Sequence, residues 1–212
     1  MAAVLEQVLQ NDGPAHASQP SAAAGYTLIE MLVAMLIIVL LGTYVGPSFL
    51  DAINRNRQQS ALGDVFAMLG TARSEAVTRA VSVVACASTD ADACSGSNWE
   101  DGWIVFADDG NGGGTADDGD RQSNEPLIRV GQEVGGGVTV RTRNLTTAGV
   151  ISFDLNGMTD ERGTFVICRD DPTEASGVVL NLSGQARMAV DQSTPENQLI
   201  EADDGTEVSA CP

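Results

Sequence analysis

Glu30 is the residue whose chemistry most needs an explanation, because its carboxylate lies inside an apolar run from Leu28 to Val45. A charged side chain inside a membrane-spanning helix costs about 3 kcal/mol even on lenient insertion scales, so a partner of opposite charge is expected. The run itself contains no Lys, Arg or His, and the first Arg of the chain is Arg55. We therefore expect an amine from outside these side chains to pair with Glu30.

The four cysteines are Cys86, Cys94, Cys168 and Cys211. Their spacing lacks the close Cys-x-x-Cys pairs that zinc sites favour. An even number of cysteines after a membrane span indicates two disulfides in an oxidising compartment such as the periplasm. Four cysteines allow three connectivities.

The segment 108–120 is rich in Asp and Gly, and its oxygen ligands on a flexible turn would suit calcium. The candidate ligands are Asp108, Asp109 and Asp117. The segment departs from the EF-hand pattern, because Gly113 occupies a ligand position and no Glu closes the loop. We favour a flexible acidic surface loop, and we expect neither a metal nor another cofactor.

The apolar run is long enough to cross the ~30 Å hydrocarbon layer of a membrane at 1.5 Å per residue. Small residues at 21–24 precede it, but an ordinary signal-peptide site follows its apolar core instead. The sequence therefore predicts a single span that is kept after any processing.

The segment from Gly25 to Leu32, which reads GYTLIEML, resembles the cleavage and assembly motif of type IV pilins and type II secretion pseudopilins. The resemblance implies that a prepilin peptidase cuts after Gly25 and methylates the new N-terminus, Tyr26. It also implies that Glu30 pairs with the N-terminal amine of the neighbouring subunit in a filament. An ion pair of this kind specifies register better than it supplies stability.

The implied leader, residues 1–25, contains no Lys or Arg. The positive-inside rule alone would not place this N-terminus in the cytoplasm, because Arg55 and Arg57 follow the span. Either the peptidase motif overrides the charge bias or the true start codon lies elsewhere. We favour a mis-assigned start or an atypical leader.

Composition excludes several classes of function. Removal of the leader takes away Glu6, Asp12 and the only His, His16, which leaves 27 acidic residues against 11 Arg, no Lys, and a formal charge of −16. Such a chain cannot form a Ser-His-Asp triad, a Gly-Lys-Ser/Thr phosphate loop or a His-based zinc site. Its charge also opposes general binding of nucleic acid. We expect a protein that is not an enzyme.

Periodicity predicts how the chain is organised. After the span (26–47), apolar residues from Phe49 to Ala80 recur at helical spacing, so an amphipathic second half of the helix is expected over 48–81, with a bend at Pro47. The remainder, 82–212, contains eight short β-rich runs separated by turn residues. These are 81–87, 103–107, 126–130, 138–143, 149–155, 163–168, 177–182 and 186–190. The predicted fold is α+β, with a long N-terminal helix packed on an antiparallel sheet head.

The head also resembles the pseudopilin H and FimT/FimU minor pilin group, which implies the pilin fold. The matching segments include Trp99–Asp108, Pro126–Arg129, Phe165–Cys168 and Leu180–Gly184. Chain order favours closure of a short loop by Cys86 and Cys94. Minor pilins often staple their last segment, so the resemblance implies that Cys168 pairs with Cys211.

Some FimT relatives act in DNA uptake through a Gly-Arg-x-Arg element near the last strand. Here the matching residues are Gly184, Gln185, Ala186 and Arg187, so one arginine is replaced by Gln. Arg187 alone in an acidic chain is a poor DNA site.

The resemblance implies a structural subunit of a type II secretion pseudopilus or a type IV pilus, active in protein secretion or in pilus priming. The implied partners are other pilins through the helix, the prepilin peptidase, the inner-membrane assembly platform and membrane lipid before assembly. The implied location is the inner membrane, single-pass, with the head in the periplasm. Two rivals stay open, namely a FimT-like DNA receptor and a membrane-anchored periplasmic binding domain.

Overall fold

The structure is a computed structural model that describes residues 25–111, 114–147, 149–169, 171–192 and 197–211, with only the backbone described at 44–48. The chain divides into two compact units, Met1–Gly46 and Pro47–Pro212. The predicted leader lies, except for Gly25, outside the described residues.

One helix runs through both units. Helix α1 comprises the 52 residues Leu28–Arg79, and its backbone stays helical at position 47. It ends where Ala80 adopts a left-handed φ of 55°. A left-handed residue directly after the last turn is a common helix stop, although Gly is the usual choice there.

In the described part of the second unit, eight strands follow α1, one for each of the predicted β-rich runs. They are β1 (Ser82–Ala87), β2 (Trp103–Asp108), β3 (Leu127–Gly131), β4 (Thr139–Arg143), β5 (Val150–Phe153), β6 (Gly163–Cys168), β7 (Ser176–Leu180) and β8 (Ala186–Met188). Short 3-10 helices lie at Trp99–Asp101 and Pro172–Glu174.

The strands form two antiparallel sheets of four strands each in the described residues. The first sheet has the order β3-β2-β1-β5, and the second has the order β4-β6-β7-β8. In the first sheet Ala85 lies opposite Val105 of β2 and Ile151 of β5. In the second sheet Phe165 lies opposite Val178 of β7. The predicted antiparallel α+β head is therefore confirmed.

The main core lies between one face of α1 and the inner faces of both sheets. The helix residues in it are fully buried or nearly so: Ala61, Leu62, Val65, Met68, Leu69, Ala72 and Ala76. Trp99 meets Phe165 edge-on at a centroid distance of 5.0 Å, and Trp103 packs in the same cluster. Burial of this apolar surface is the main force that holds the helix on the head.

The predicted apolar stripe of the helix is correct only in part. Its positions from Ala61 to Ala76 face the core, whereas Phe49, Leu50 and Ala80 are exposed. Met68, which lies between these positions, is also completely buried. Helical spacing shows which residues share a face but does not show where along the helix a sheet covers that face.

Candidate functional site

The residues of the predicted assembly motif lie at the start of α1. Glu30 falls in the first turn of the helix, and its backbone N–H donates to Oγ1 of Thr27 at 3.2 Å. The N–H of Met31 donates to the backbone oxygen of Thr27 at 3.2 Å. Thr27 therefore caps the helix, since its side chain satisfies one of the N–H groups that the first turn leaves unpaired.

The sequence analysis did not identify this cap. Thr27-Leu-Ile-Glu30 is a Ser/Thr-x-x-Glu sequence immediately before an apolar run, which is the signature of a capping box. A carboxylate in the first turn also interacts favourably with the helix dipole. Glu30 thus lies in the first turn of a capped helix, and its pairing with a neighbouring amine stays a prediction.

The first unit presents apolar side chains to its surroundings on every face of the helix. Large apolar residues from Leu28 to Leu41 are at least 47% exposed, and Tyr26 is 76% exposed. Within the described residues, no helix combines the length and the hydropathy that crossing a membrane requires. The predicted span, Leu28–Val45, reaches into 44–48, whose side chains the structure does not describe.

Two disulfides join the four cysteines. Cys86 of β1 is bonded to Cys94, with Cα atoms 5.5 Å apart, and Cys168 at the end of β6 is bonded to Cys211, with Cα atoms 5.7 Å apart. This is the pairing that the sequence analysis favoured. The second bond fixes the tail beneath the second sheet, where Ile200 and Val208 form a small core with Val166 and Cys168.

Two buried carboxylates organise the acidic loop after β2. Asp108 accepts the backbone N–H groups of Asp117 and Gly119, both at 2.8 Å. Glu125 accepts those of Gly110 at 3.2 Å and Gln122 at 2.9 Å. Both carboxylates are 1% exposed. Burial raises the pKa of Asp108, although the amides of Gly119 and Asp117 act in the opposite direction.

This arrangement gives the calcium candidates a different role. Asp108 uses both oxygens on amides, Asp117 contributes its backbone N–H to Asp108, and Asp109 accepts from the backbone of Asn111 at 3.1 Å. Among the described residues, no group of three or more His, Cys, Asp or Glu side chains is placed to hold a metal. The loop is also fixed to the first disulfide loop, because Arg121 binds the side chain and the backbone oxygen of Asp92.

Arg187 lies on β8 and lines a groove of about 750 Å³ between that strand and α1. The structure places Arg73 of α1 in the same groove, with its Nε donating to the backbone oxygen of Gly157 at 3.1 Å. Among the described residues, none of those that line the groove is acidic. Sequence analysis named Arg187 but did not bring Arg73 next to it, because the two are far apart in the chain.

Comparison of the sequence with known protein families indicates the class of protein to which the chain belongs. Residues 20–45 match the prokaryotic N-terminal methylation motif, which contains Gly25, Tyr26 and Glu30. This motif precedes a helix-on-sheet head, and together they define a pilin-like protein.

The head then identifies the family. Residues 61–184, more than half of the chain, match the family model described as type II transport protein GspH. The chain belongs to the GspH family.

Similar solved structures include the type IV minor pilin FimU of Pseudomonas aeruginosa and the minor pseudopilin EpsH of the type 2 secretion system of Vibrio cholerae. The FimU structure is 20% identical, with a TM-score of 0.49 over 65% of this chain and 91% of FimU. The EpsH structure is 13% identical, with a TM-score of 0.45 over 65% of this chain and 99% of EpsH. No curated protein matches the chain in sequence.

Proposed function

We propose that the chain is a minor pseudopilin, a structural subunit that enters the filament of a type II secretion system and serves protein secretion. The GspH family match supports the type II secretion setting. The observation that carries the proposal is the methylation motif at 20–45, placed directly at a capped helix start. A subunit that enters a filament through its N-terminal helix needs this combination.

The proposed mechanism begins with processing. The prepilin peptidase cuts after Gly25, and Tyr26 becomes the methylated N-terminus. Before assembly, the exposed apolar side chains of 28–41 contact membrane lipid, with the head on the periplasmic side of the inner membrane. During assembly the helix leaves the lipid for a bundle of neighbouring helices, where apolar side chains are again removed from water.

Glu30 fixes the axial position of each subunit in this bundle. In an environment without water, a carboxylate is stable only beside an opposite charge, and the described residues 25–43 contain no cationic side chain. The free N-terminal amine of a neighbouring subunit is the matching cation. One subunit then fixes the axial position of the next.

Mass spectrometry of the mature N-terminus tests this proposal. The expected result is an N-terminal peptide that begins at Tyr26 and carries one added methyl group, in cells that contain the peptidase. Cells without the peptidase should retain the leader. A mature protein that keeps its leader in both strains would refute the proposal and would favour a membrane-anchored periplasmic binding domain.

A second candidate function, a DNA receptor, is favoured by one observation, namely that Arg73 and Arg187 share a groove. Such a receptor should bind duplex DNA with an affinity that falls steeply as salt rises. The absence of binding at low salt would remove this candidate.

A further inference from the structure

We propose that the groove beside β8 binds an extended segment of a partner protein in which apolar and acidic residues alternate, and that this segment adds a strand to the second sheet. The surface lies wholly within the second unit, Pro47–Pro212, so the inference goes beyond filament assembly through the N-terminal part of the helix. It does not depend on which filament contains the chain.

The backbone of β8 has one open edge. The second sheet ends at β8, and no described strand pairs with its other side. Ala189 N–H donates to the oxygen of Gly177 at 2.8 Å, and Asn181 N–H donates to the oxygen of Gln185 at 3.2 Å, while Arg187 lies opposite Val179. Positions 185, 187 and 189 therefore direct their backbone groups toward β7.

The intervening residues, Ala186 and Met188, direct theirs toward the open edge, because backbone groups alternate along an antiparallel strand. The guanidinium of Arg187 donates to the oxygen of Met188 at 3.5 Å, a long contact that an added strand would replace. Edge strands are usually protected by Lys, Pro, bulges or a covering element. Over Ala186–Met188, the charge of Arg187 is the protecting feature in the described residues, and it repels cationic strands while it attracts acidic ones. The tail meets this side of the chain only beyond β8, where the N–H of Glu201 donates to the oxygen of Val190 at 3.2 Å.

The wall opposite this edge, on α1, presents two large apolar side chains as well as Arg73. Phe66 and Val77 of α1 line the groove and are 41% and 52% exposed. They are 11 residues apart, close to three helical turns, so they share one face. Gly70 lies between them, and a Cβ at that position would contact nothing within 4 Å. No packing contact inside the chain therefore requires a glycine at position 70.

The two faces of β8 determine what an added strand must contain. Ala186 packs against the main core, on the side of α1. Arg187 alternates in direction, so it lines the groove from its margin and not from the side of α1. A strand beside β8 would place every second residue against Phe66 and Val77 and the residues between them beside Arg187. Phe66 and Val77 favour apolar residues in the first set, and Arg187 favours acidic residues in the second set.

Charge complementarity favours this occupant over others. The mature chain has a formal charge of −16, yet among the described residues the groove has two arginines and no carboxylate. A cationic segment would be repelled, and a purely apolar strand would leave Arg187 without a counter-charge. Backbone pairing supplies affinity in such strand addition, and the alternate side chains supply specificity.

The test uses the full chain in detergent micelles and a capped eight-residue peptide of alternating valine and glutamate. We expect saturable binding, with slowed hydrogen exchange at the amides of Ala186 and Met188 in NMR spectra. A peptide with lysine in place of glutamate should not bind. A valine-glutamate peptide N-methylated at every amide should not bind either, because it cannot donate to the edge.

The matched variants are Arg187→Ala and Arg162→Ala. Both remove one exposed positive charge, but only Arg187 lines the groove. We expect Arg187→Ala to weaken binding of the glutamate peptide about tenfold, as for a charge-assisted contact. Arg162→Ala should leave the affinity unchanged.

Four results would overturn the proposal. These are no binding of the glutamate peptide, equal binding of the lysine peptide, binding without protection of the Ala186 and Met188 amides, and displacement of the peptide by inorganic phosphate at equal concentration. Duplex DNA serves as a further probe. If DNA binds through Arg187 and the peptide does not, the groove is a nucleic-acid site instead.

Discussion

Thr27 and Glu30 have separable roles at the start of α1. The side chain of Thr27 accepts the backbone N–H of Glu30, so this contact does not use the carboxylate of Glu30. The carboxylate remains able to pair with a neighbour while the helix start is held by Thr27. Substitutions at the two positions should therefore affect assembly and helix stability differently.

The first prediction follows from this separation. Glu30→Gln should nearly abolish filament crosslinking between subunits, because loss of one member of a desolvated ion pair costs about 3–5 kcal/mol. Thr27→Val keeps the charge and removes the cap, which costs about 1 kcal/mol, so assembly should fall much less. Leader cleavage must be measured in both variants, so that a processing defect is not mistaken for an assembly defect. Equal crosslinking by the Gln variant and the parent would show that the proposed pairing is wrong.

Gln58 is the buried polar residue of the described part of α1. It is 4% exposed, and its Nε2 donates to the backbone oxygen of Glu174 at 2.6 Å and to that of Ile167 at 3.3 Å. One amide thereby holds the helix against β6 and the 3-10 helix at Pro172–Glu174. Without this donor, the backbone oxygens of Glu174 and Ile167 would each lose a hydrogen bond.

The second prediction is that Gln58→Ala lowers the free energy of unfolding by about 1–3 kcal/mol, since buried acceptors would be left unsatisfied. Gln59→Ala, at the exposed neighbouring position, should change it by less than about 0.5 kcal/mol. Urea unfolding followed by the fluorescence of Trp99 and Trp103 measures both effects. A similar small change for the two variants would mean that the contacts of Gln58 do not stabilise the head.

At the scale of elements, two glycines have opposite surroundings. Gly131 ends β3 against Trp103, and a Cβ placed there would overlap the indole ring. Gly63 lies in the middle of α1, and a Cβ there would contact nothing within 4 Å. Packing therefore requires the first glycine, while the second only lowers the helix propensity of its segment.

The third prediction compares these two positions. Gly131→Ala should destabilise the head by about 1–3 kcal/mol, because Trp103 must leave its place in the core. Gly63→Ala should stabilise it by about 1 kcal/mol, since it adds a strong helix former at an open position. The same unfolding assay, together with the near-UV circular dichroism of the tryptophans, distinguishes the two effects. Stabilisation by Gly131→Ala would contradict the observed packing.

The strands were predictable because each is a short run of β-branched and apolar residues between turn residues, and that signal is local in the sequence. The capping sequence at Thr27 is equally local, although the sequence analysis did not use it. The positions of Gln58, Asp108 and Glu125 were not predictable, because polar residues become buried only when partners distant in the sequence supply hydrogen bonds. Likewise, Arg73 and Arg187 form one groove only after β8 lies beside α1.

At the scale of the whole molecule, carboxylates act as organisers of loops as well as a source of negative charge. Asp90 accepts the amides of Ala93 and Asp92 and the hydroxyl of Ser88, and these hydrogen bonds lower its pKa to about 2. Hydrogen bonds within turns also lower the pKa of Asp154, Asp171 and Asp204, chiefly from Met158, Thr173 and Thr206 respectively. Burial raises the pKa of Asp108, so the effect of this carboxyl group on stability changes with pH in the opposite direction.

The fourth prediction concerns the stability of the head in acid. A carboxylate whose pKa is lowered on folding contributes stability that is complete above its unfolded pKa and is lost as pH falls toward the folded value. For Asp90 that window runs from 3.8 down to about 2. The parent chain should therefore lose stability across this range, with both disulfides kept oxidised.

Asp90→Asn isolates one of these contributions. Asn can still accept hydrogen bonds but has no charge, so the variant should be less stable than the parent at neutral pH and should approach it as pH falls to about 2. High salt screens the long-range repulsion of an acidic chain but affects short hydrogen bonds to amides much less. The difference between parent and variant should therefore persist in high salt. If the stability difference between parent and variant disappears in high salt, net charge stabilises this loop and the hydrogen bonds to Asp90 do not. If the difference stays constant between neutral pH and pH 2, packing does.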